Sequence, residues 1–313
     1  METGSTAAET SVVIVPASSA NLGCGFDCLA VALQLYLRAR AFWGGRRLEL
    51  IYRGPHAERV PLDRRSRLLE ALAQTARALG RPCPRGRIEV TSEIPVGVGL
   101  GSSAAATLAG ILLGCEACGR EPEEEFVLPL AARIEGHPDN VAAAWHGGLV
   151  AVCPHEGRLH VERIEVPEWL EFVAVIPDRP LPTVQARAVL PRRYERAQVV
   201  ANLQRLAVVV ASCFSGRFAL RPELFADGLH QPYRASLLAG LEECLAWQAP
   251  DVGGVYLSGA GPTVMALAQG TGECIGQQLA GRLKRHGVAA EVRCLKADNG
   301  GVRRCTAVAS AAT

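Results

Sequence analysis

Residues 95–106 read Pro95-Val-Gly-Val-Gly-Leu-Gly-Ser-Ser-Ala-Ala-Ala106, and this stretch indicates the fold more strongly than any other part of the chain. Three alternating glycines are followed by two serines and an alanine-rich run that favours a helix. Glycine permits a left-handed backbone and the close approach of a ligand. The first turn of a helix leaves amide groups unpaired at the positive end of its dipole. The stretch therefore predicts a loop and helix start that bind an anion such as phosphate.

Taken alone, the same residues are also typical of a plain glycine turn in which Ser102 or Ser103 caps the helix. The commoner phosphate motifs do not match. A P-loop ends in Gly-Lys-Ser/Thr, whereas the only lysines of this chain are Lys284 and Lys296. The dinucleotide fingerprint needs an acidic residue about 20 residues on, after a second strand, and no such setting follows here. Phosphate binding would therefore depend on backbone amides and a metal ion.

Three further polar segments interrupt the apolar chain. Residues 16–27 (Pro-Ala-Ser-Ser-Ala-Asn-Leu-Gly-Cys-Gly-Phe-Asp) follow a predicted strand, and residues 258–263 (Ser-Gly-Ala-Gly-Pro-Thr) lie between two predicted strands. Residues 135–140 (Glu-Gly-His-Pro-Asp-Asn) lie at a predicted helix–loop–helix junction. They can supply a metal ligand and groups that orient a hydroxyl, or they can be local helix caps. The recurrence of polar glycine loops predicts that they converge on one site.

Residue spacing predicts alternating helices and strands. The predicted helices span residues 66–80, 102–118, 121–134, 139–145, 196–213, 237–247 and 272–286. The predicted strands span residues 12–15, 48–52, 87–91, 148–153, 159–164, 172–176, 254–257, 264–267 and 290–294. Interleaved strands and helices favour an α+β or α/β fold.

In their order along the chain, the glycine loops at 16–27, 95–106 and 258–263 resemble the signature motifs of the GHMP kinases. Residues 21–27 and 135–140, together with His230-Gln-Pro-Tyr-Arg234, resemble the homoserine kinase family in particular, and the resemblance covers about residues 12–267. It implies an α+β, two-domain GHMP-kinase-like architecture. An N-terminal nucleotide-binding domain of mixed β-sheet and helices would precede a C-terminal ferredoxin-like α/β sandwich. We expect a disordered tail at 1–11, the ATP-binding domain at 12–166, the second domain at 167–305 and a tail at 306–313.

The resemblance also implies an activity. ATP and L-homoserine would give ADP and O-phospho-L-homoserine in threonine biosynthesis, with Mg²⁺, in a homodimer whose sites lie between the two domains of each chain. Two alternatives stay open. One is a GHMP kinase for another small carboxylate-bearing alcohol, of the shikimate or mevalonate type. The other is a non-catalytic ligand-sensing relative, although such relatives typically lose the metal and phosphate residues that are intact here.

The resemblance assigns roles to individual residues. The ATP-binding set is Pro95, Gly97, Val98, Gly99, Leu100, Gly101, Ser102, Ser103 and Ala104. The metal ligands are Ser103 and Glu135. The substrate-binding set is Asn21, Asp27, His137, Arg187, Arg234, Gly259 and Gly261. The catalytic set is Asn140, Thr183, Asp27 and His137. A carboxylate at 27 suits an ammonium group, and guanidinium groups at 187 and 234 suit a carboxylate.

Arg67 and Val98 depart from the family's pattern, whereas Asn140 follows it and differs only from related kinases. Arg67 stands where the family often has an asparagine that contacts adenine, so that asparagine contact is absent here. Val98 replaces an arginine that is frequent before Gly-Leu-Gly-Ser-Ser, so one positive charge near the phosphates is lost. Asn140 stands where related sugar and mevalonate kinases have a carboxylate base. Since phosphoryl transfer needs positioning and charge neutralisation more than early deprotonation, we expect catalysis by alignment and Mg²⁺ without a dedicated strong base.

Composition limits the class of protein. The formal charge of +2 and the 5% aromatic content do not favour a nucleic-acid partner. No apolar run approaches the roughly 20 residues that span a bilayer, and the acidic, polar N-terminus is not a secretory signal. The eleven cysteines are odd in number and scattered. Free thiols are the better interpretation, which predicts a reducing, cytoplasmic location.

Overall fold

The computed structural model describes residues 10–218, 221–250 and 252–307. The strands are β1 (Thr10–Asn21), β2 (Gly25–Trp43), β3 (Leu48–Arg53), β4 (Gly86–Ser92), β5 (Leu149–His155), β6 (Arg158–Ile164), β7 (Glu171–Pro177), β8 (Val252–Leu257), β9 (Val264–Ala268), β10 (Ala290–Leu295) and β11 (Arg303–Ala307). The α-helices are α1 (Arg67–Ala78), α2 (Ser102–Ala117), α3 (Glu124–Glu135), α4 (Asp139–His146), α5 (Thr183–Ala188), α6 (Arg196–Phe214), α7 (Gln231–Arg234), α8 (Leu241–Leu245) and α9 (Gly272–Arg285). Both predicted tails lie outside the described residues, except for positions 10, 11, 306 and 307, which belong to β1 and β11.

The first sheet has seven strands in the order β11-β1-β2-β4-β3, and β5 and β6 extend from β2. The pairing of β3 with β4 is parallel, while the other pairs are antiparallel, so the sheet is mixed. Helix α2 packs against β1 and against α1, α3 and α4. Because helices surround it, α2 is apolar on nearly all sides and buries eleven of its sixteen residues. This burial fixes the position of its N-terminus.

The second sheet is antiparallel and has the strand order β10-β7-β9-β8. Numbered along the chain, this is the order 4-1-3-2 of a ferredoxin-like domain, with α9 crossing from β9 to β10. The apolar face of α9, which includes Ile275, Leu279 and Leu283, packs on this sheet. The α+β architecture with a mixed N-terminal sheet and a ferredoxin-like C-terminal sandwich is thus confirmed. Strand β11 returns to pair with β1, so the C-terminal residues complete the first sheet.

Two elements differ from the sequence prediction. Strand β2 was not predicted, although residues 33–41 alternate between buried and more exposed positions in the period typical of a strand. The helix predicted at 237–247 is wrong in its extent, since a 3₁₀ turn at Ala235–Leu237 and the short α8 replace it. Gly240 adopts φ 85° between them and lies against the His286 ring, which interrupts the helix.

Helix α6 exposes four large apolar side chains, those of Val200, Leu203, Val208 and Phe214. Among the described helices it is the one long and apolar enough to cross a membrane by length and composition, and a single such helix is weak evidence for a span. The eleven cysteines, all within the described ranges, are free thiols. Burial raises the pKa of Cys28 to about 11 and that of Cys115 to about 11, so both are protonated at neutral pH.

Candidate active site

The glycine loop at 97–101 is tied to both sheets through its carbonyl groups. The carbonyl oxygen of Gly97 accepts a hydrogen bond from Leu181 N, and that of Val98 accepts one from Thr263 N. The carbonyl oxygen of Gly99 accepts from Ser258 Oγ, and that of Leu100 accepts from Ser18 N. None of the amides from Gly99 to Ala104 donates a hydrogen bond within the described residues. The loop therefore presents unpaired N–H groups at the start of α2, as an anion site requires.

Glycine is required by geometry in this loop. Gly99 has φ 86° and Gly101 has φ 71°, in the left-handed region. A side chain at 99 would collide with the carbonyl oxygens of Ser258 and Gly261, and one at 101 would collide with Ser18. Gly101 is itself the N-cap of α2, and no side chain caps it, so the alternative of a serine cap is wrong. Ser102 and Ser103 are instead the first two residues of the helix.

One cavity of about 410 Å³ contains most of the site residues named from the sequence. The assigned residues that line it are Asn21, Asp27, Gly97, Gly99, Gly101, Ser102, Ser103, Ala104, Glu135, His137, Asn140, Thr183, Arg187, Arg234, Gly259 and Gly261. Pro95, Val98 and Leu100 do not line it, and the side chains at 98 and 100 are buried in the core. Their contribution is to the shape of the loop. The cavity is also lined by Arg67 and Asp139.

Glu135 ends α3 beside the first turns of α2. Its Oε1 accepts hydrogen bonds from Ser103 Oγ at 3.0 Å and from Thr107 Oγ1 at 2.5 Å. Arg67 Nε lies 3.4 Å from the same oxygen, and the Glu135 side chain is only 5% exposed. Thr107 has no role in the sequence prediction, although its position four residues after Ser103 puts both hydroxyls on one face of α2.

This donor set fits Mg²⁺. Oxygen ligands suit that ion, which is commonly held by one or two carboxylates together with phosphates and waters. Glu135 supplies the carboxylate and Ser103 supplies a hydroxyl. Within the described residues, no group of three or more His, Cys, Asp or Glu side chains could hold a metal. A divalent ion here would therefore draw most of its ligands from a bound phosphate compound.

The first turn of α4 is organised around Asp139, which is 2% exposed. Its Oδ1 lies 2.7 Å from His137 Nδ1 and accepts bonds from the backbone amide and Nδ2 of Asn140. Ser18 Oγ donates to Asn140 Oδ1 at 2.8 Å. Burial lowers the pKa of His137, but its hydrogen bond to Asp139 and that carboxylate's charge outweigh burial and raise the pKa above its ordinary value. Asp139 thus orients both predicted hydroxyl-binding side chains.

Asp27 and Arg187 lie in another part of the cavity and pair with each other. Arg187 Nη2 donates to Asp27 Oδ1 at 2.8 Å, and Nη1 donates to Oδ2 at 3.2 Å. Asp27 has φ 56°, and its amide donates to Asn21 Oδ1 at 3.1 Å. Asn21 Nδ2 in turn donates to Gly259 O at 2.9 Å. The two glycine loops at 21–27 and 258–263 are thereby joined around the pair.

Arg234 is almost wholly buried, at 2% exposure. Its Nε donates to Ala186 O, and its Nη1 contacts Gly259 O at 2.9 Å and His230 Nδ1 at 3.2 Å. Because an arginine is always a donor, His230 accepts at Nδ1 and donates through Nε2 to Gly23 O at 2.9 Å. Burial, followed by the like charge of Arg187, lowers the pKa of Arg234 to about 10. The guanidinium is still charged at neutral pH and is prepared to bind an anion.

Phe26 completes this region, although its role was missed from the sequence. Its ring stacks on His230 with centroids 4.9 Å apart, and the guanidinium carbon of Arg234 lies 5.3 Å from the ring centroid. The signal was present, since Phe26 lies within the motif at 21–27 and His230 begins the motif at 230–234. Their part is to position Arg234 rather than to bind a ligand directly.

Comparison with known proteins supports one family. The model described as the GHMP kinases N terminal domain matches residues 66–148. A homoserine kinase of Deinococcus radiodurans is 40% identical over 265 residues, covering 84% of this chain and 86% of that protein. A homoserine kinase of Desulfitobacterium hafniense is 35% identical and covers 92% of this chain and 98% of its own. The crystal structure of homoserine kinase from Cytophaga hutchinsonii has a TM-score of 0.82 at 26% identity, covering 97% and 99% of the two chains.

Proposed function

Because the chain belongs to the homoserine kinase family of the GHMP kinases, we propose that it transfers the terminal phosphoryl group of ATP to the side-chain hydroxyl of L-homoserine. The products are ADP and O-phospho-L-homoserine, a step of threonine biosynthesis. One observation supports this assignment above the others: a single cavity contains both the unpaired amides of the glycine loop and the Asp27–Arg187 pair. The glycine-loop amides suit phosphates, and the Asp27–Arg187 pair carries charges opposite to the ammonium and carboxylate of an amino acid.

The Asp27–Arg187 pair favours an amino acid over other alcohols. An α-amino acid carries one ammonium and one carboxylate, so it can replace each partner of the pair with a new opposite charge. Arg234 adds a buried cation beside Arg187, which suits a carboxylate. Shikimate and mevalonate carry the carboxylate but no ammonium, and would leave Asp27 without a partner. A buried or half-buried charge that loses its partner is costly.

The chemistry that we propose is alignment. The glycine-loop amides and the start of α2 hold the triphosphate, and Ser103 and Glu135 would hold Mg²⁺. When bound, that ion neutralises charge on the phosphate oxygens. His137 and Asn140, both oriented by Asp139, direct the substrate hydroxyl toward the phosphoryl group. Thr183 lines the same cavity at the start of α5. Asn140 cannot accept a proton as a carboxylate would, so we propose that the enzyme has no dedicated strong base.

The experiment is a coupled ADP-release assay with Mg-ATP, in which L-homoserine, shikimate and mevalonate are compared as acceptors. We expect turnover on L-homoserine to exceed turnover on the other two by more than about 100-fold, because a site built to bind a charged group rejects an analogue that lacks it. ATP binding without release of ADP on any alcohol would support the non-catalytic relative instead. A pH–rate profile that required a deprotonated group near about pH 6.5 would contradict alignment without a base.

We also propose a homodimer, a cytoplasmic location and two domains at 12–166 and 167–305. The dimer is what the resemblance to the family implies, and eleven free thiols support a reducing compartment. The two separate sheets support the domain division, except that β11 (Arg303–Ala307) belongs to the sheet of the first domain. Light scattering on the eluting peak of a sizing column would give twice the mass of the 33.2 kDa chain. A monomeric mass would contradict the proposed assembly.

A further inference from the structure

We propose that Arg67 is a ligand of the nucleotide phosphates, and that it rests on Glu135 and Ser103 until the nucleotide arrives. This deepens the proposed function and depends on it for the identity of the nucleotide. Arg67 is the first residue of α1 and projects into the cavity beside α2. Its Nε lies 3.3 Å from Ser103 Oγ and 3.4 Å from Glu135 Oε1. These are the two side chains that the same site would use for a divalent ion.

Arg67 supplies positive charge where the glycine loop has none. Among the described residues, three arginines and no lysine line the cavity, namely Arg67, Arg187 and Arg234. Arg187 is paired with Asp27, and Arg234 is fixed on the carbonyl oxygens of Ala186 and Gly259. Position 98 is a buried valine. Arg67 is therefore the arginine of this cavity that lies against the start of α2.

One nitrogen of the Arg67 guanidinium is available to a ligand. Its Nη1 donates to Glu70 Oε2 at 2.8 Å, while Nη2 makes no hydrogen bond within the described residues. The side chain is 41% exposed, so it can move. A guanidinium presents several N–H donors in one plane and binds phosphate oxygens well. Nη2 can contact a phosphate oxygen while Glu70 still orients the group.

Glu135 explains why Arg67 rests where it does. The carboxylate is nearly buried, and a buried charge needs an opposite charge or several hydrogen bonds. Two hydroxyls and Arg67 satisfy it in this structure. A divalent ion on Glu135 would repel the guanidinium at such short range, so the ion and Arg67 compete for one oxygen. The displaced Nε is then free for the phosphates, and the positive charge stays in the site.

The test measures binding rather than turnover. Titration calorimetry in the presence of EDTA compares ATP with adenosine for the wild type, Arg67→Gln and Arg67→Lys. We expect Arg67→Gln to weaken ATP binding about 10- to 100-fold, the usual range for a hydrogen bond to a charged group. Adenosine affinity should stay within about twofold of the wild type. Arg67→Lys should recover part of the loss, since it keeps a point charge without the planar donors.

The matched control is Arg65→Gln. Arg65 is two residues away, 80% exposed and paired with Asp63, and it does not line the cavity. Its substitution should leave both affinities unchanged. An Arg67→Gln protein that binds ATP as tightly as the wild type would overturn the proposal. Equal losses for ATP and adenosine, with a lowered melting temperature, would show a structural role instead and would also overturn it.

A second measurement tests the competition for Glu135. Electron paramagnetic resonance with Mn²⁺ alone, without nucleotide, should show tighter metal binding in Arg67→Gln than in the wild type. Unchanged or weaker Mn²⁺ binding would contradict the resting position. Failure of the proposed function can be distinguished from failure of this proposal. In that case the wild type itself would bind no ATP, or would release no ADP with L-homoserine, before any variant is compared. Phosphorylation of another alcohol would leave the role of Arg67 intact.

Discussion

Arg187 donates two hydrogen bonds to Asp27 across 160 positions of sequence, at 2.8 and 3.2 Å. Asp27 lies near the start of β2, and Arg187 lies in the short helix α5 of the second domain. The pair therefore connects the two halves of the chain at the place where we propose that the amino acid binds. A zwitterion can open it without leaving either charge unpaired.

The first prediction is that Asp27→Asn raises the KM for L-homoserine about 10- to 100-fold, since a hydrogen bond to an ionised group is lost. The KM for ATP should change little, because Asp27 makes its hydrogen bonds with Arg187 and Asn21 and not with the glycine loop. Steady-state kinetics with each substrate varied separately measures both values.

The control for Asp27 is an acceptor without the ammonium group, 4-hydroxybutyrate. The preference for L-homoserine over this acceptor, as a ratio of kcat/KM, should fall in Asp27→Asn. An unchanged ratio would mean that Asp27 does not bind the ammonium.

The second prediction concerns Thr107, whose hydroxyl donates to Glu135. Thr107→Val keeps the shape but removes the donor, so Glu135 loses one of the bonds that orient it. We expect about tenfold more Mg²⁺ to be needed for half-maximal activity, the low end of the effect of removing a hydrogen-bond partner of a metal ligand. A magnesium titration at fixed ATP gives the value.

Thr75→Val is the matched control for Thr107. Thr75 is equally buried and donates to Ala71 O of its own helix rather than to Glu135. It should leave the magnesium requirement unchanged. If both variants shift the requirement equally, a general effect of packing is responsible.

The third prediction is that Gly101→Ala lowers kcat/KM for ATP by about tenfold or more, because a left-handed backbone with a Cβ costs about 1–2 kcal/mol. The new methyl group would also collide with Ser18. Gly281→Ala is the control, since Gly281 lies inside α9 with nothing near the added atom. It should raise the melting temperature, because alanine is favoured over glycine in a helix by up to about 1 kcal/mol.

The fourth prediction concerns acid stability. Burial lowers the pKa of His230 to about 4, with Asp227 opposing the shift and Arg234 adding to it. The unfolded chain takes up this proton at the ordinary value of 6.5. Between these two pH values the unfolded state binds more protons, so the free energy of unfolding decreases as pH falls, by at most about 1.4 kcal/mol per pH unit. Below a pH of about 4 both states carry the proton, so the stability that His230 contributed at neutral pH is fully lost and no longer depends on pH.

Urea denaturation from pH 7 to pH 4 tests this prediction. His230→Gln should be less stable at neutral pH, because it loses the ring that supports Arg234, but its stability should depend less steeply on pH. A variant with the same slope as the wild type would show that other groups determine the acid sensitivity.

Local sequence predicted the elements that carry the glycine loop. The start of α2, its long apolar run and the helix–loop–helix at 135–140 depend on contacts within a few residues, so glycine spacing and helix periodicity were enough to find them. Strand β2 was missed although residues 33–41 alternate in polarity. Its first half, including residues 29–33, is buried on both faces, because Ala30 packs with α4 while Leu29, Val31 and Leu33 belong to the main core. That burial removes the alternation where the strand begins.

The motifs of the sequence by themselves determined the family and predicted most of the residues that line the candidate cavity, because each motif is a short run whose backbone shape is set locally. Only the tertiary structure decided which side chains meet. Thr107 reaches Glu135 because α2 and α3 pack together, Asp27 reaches Arg187 across the two domains, and Arg67 reaches Ser103 through the contact of α1 with α2. Such pairs depend on how distant elements are oriented by burial of their apolar faces. Local spacing carries no record of that orientation.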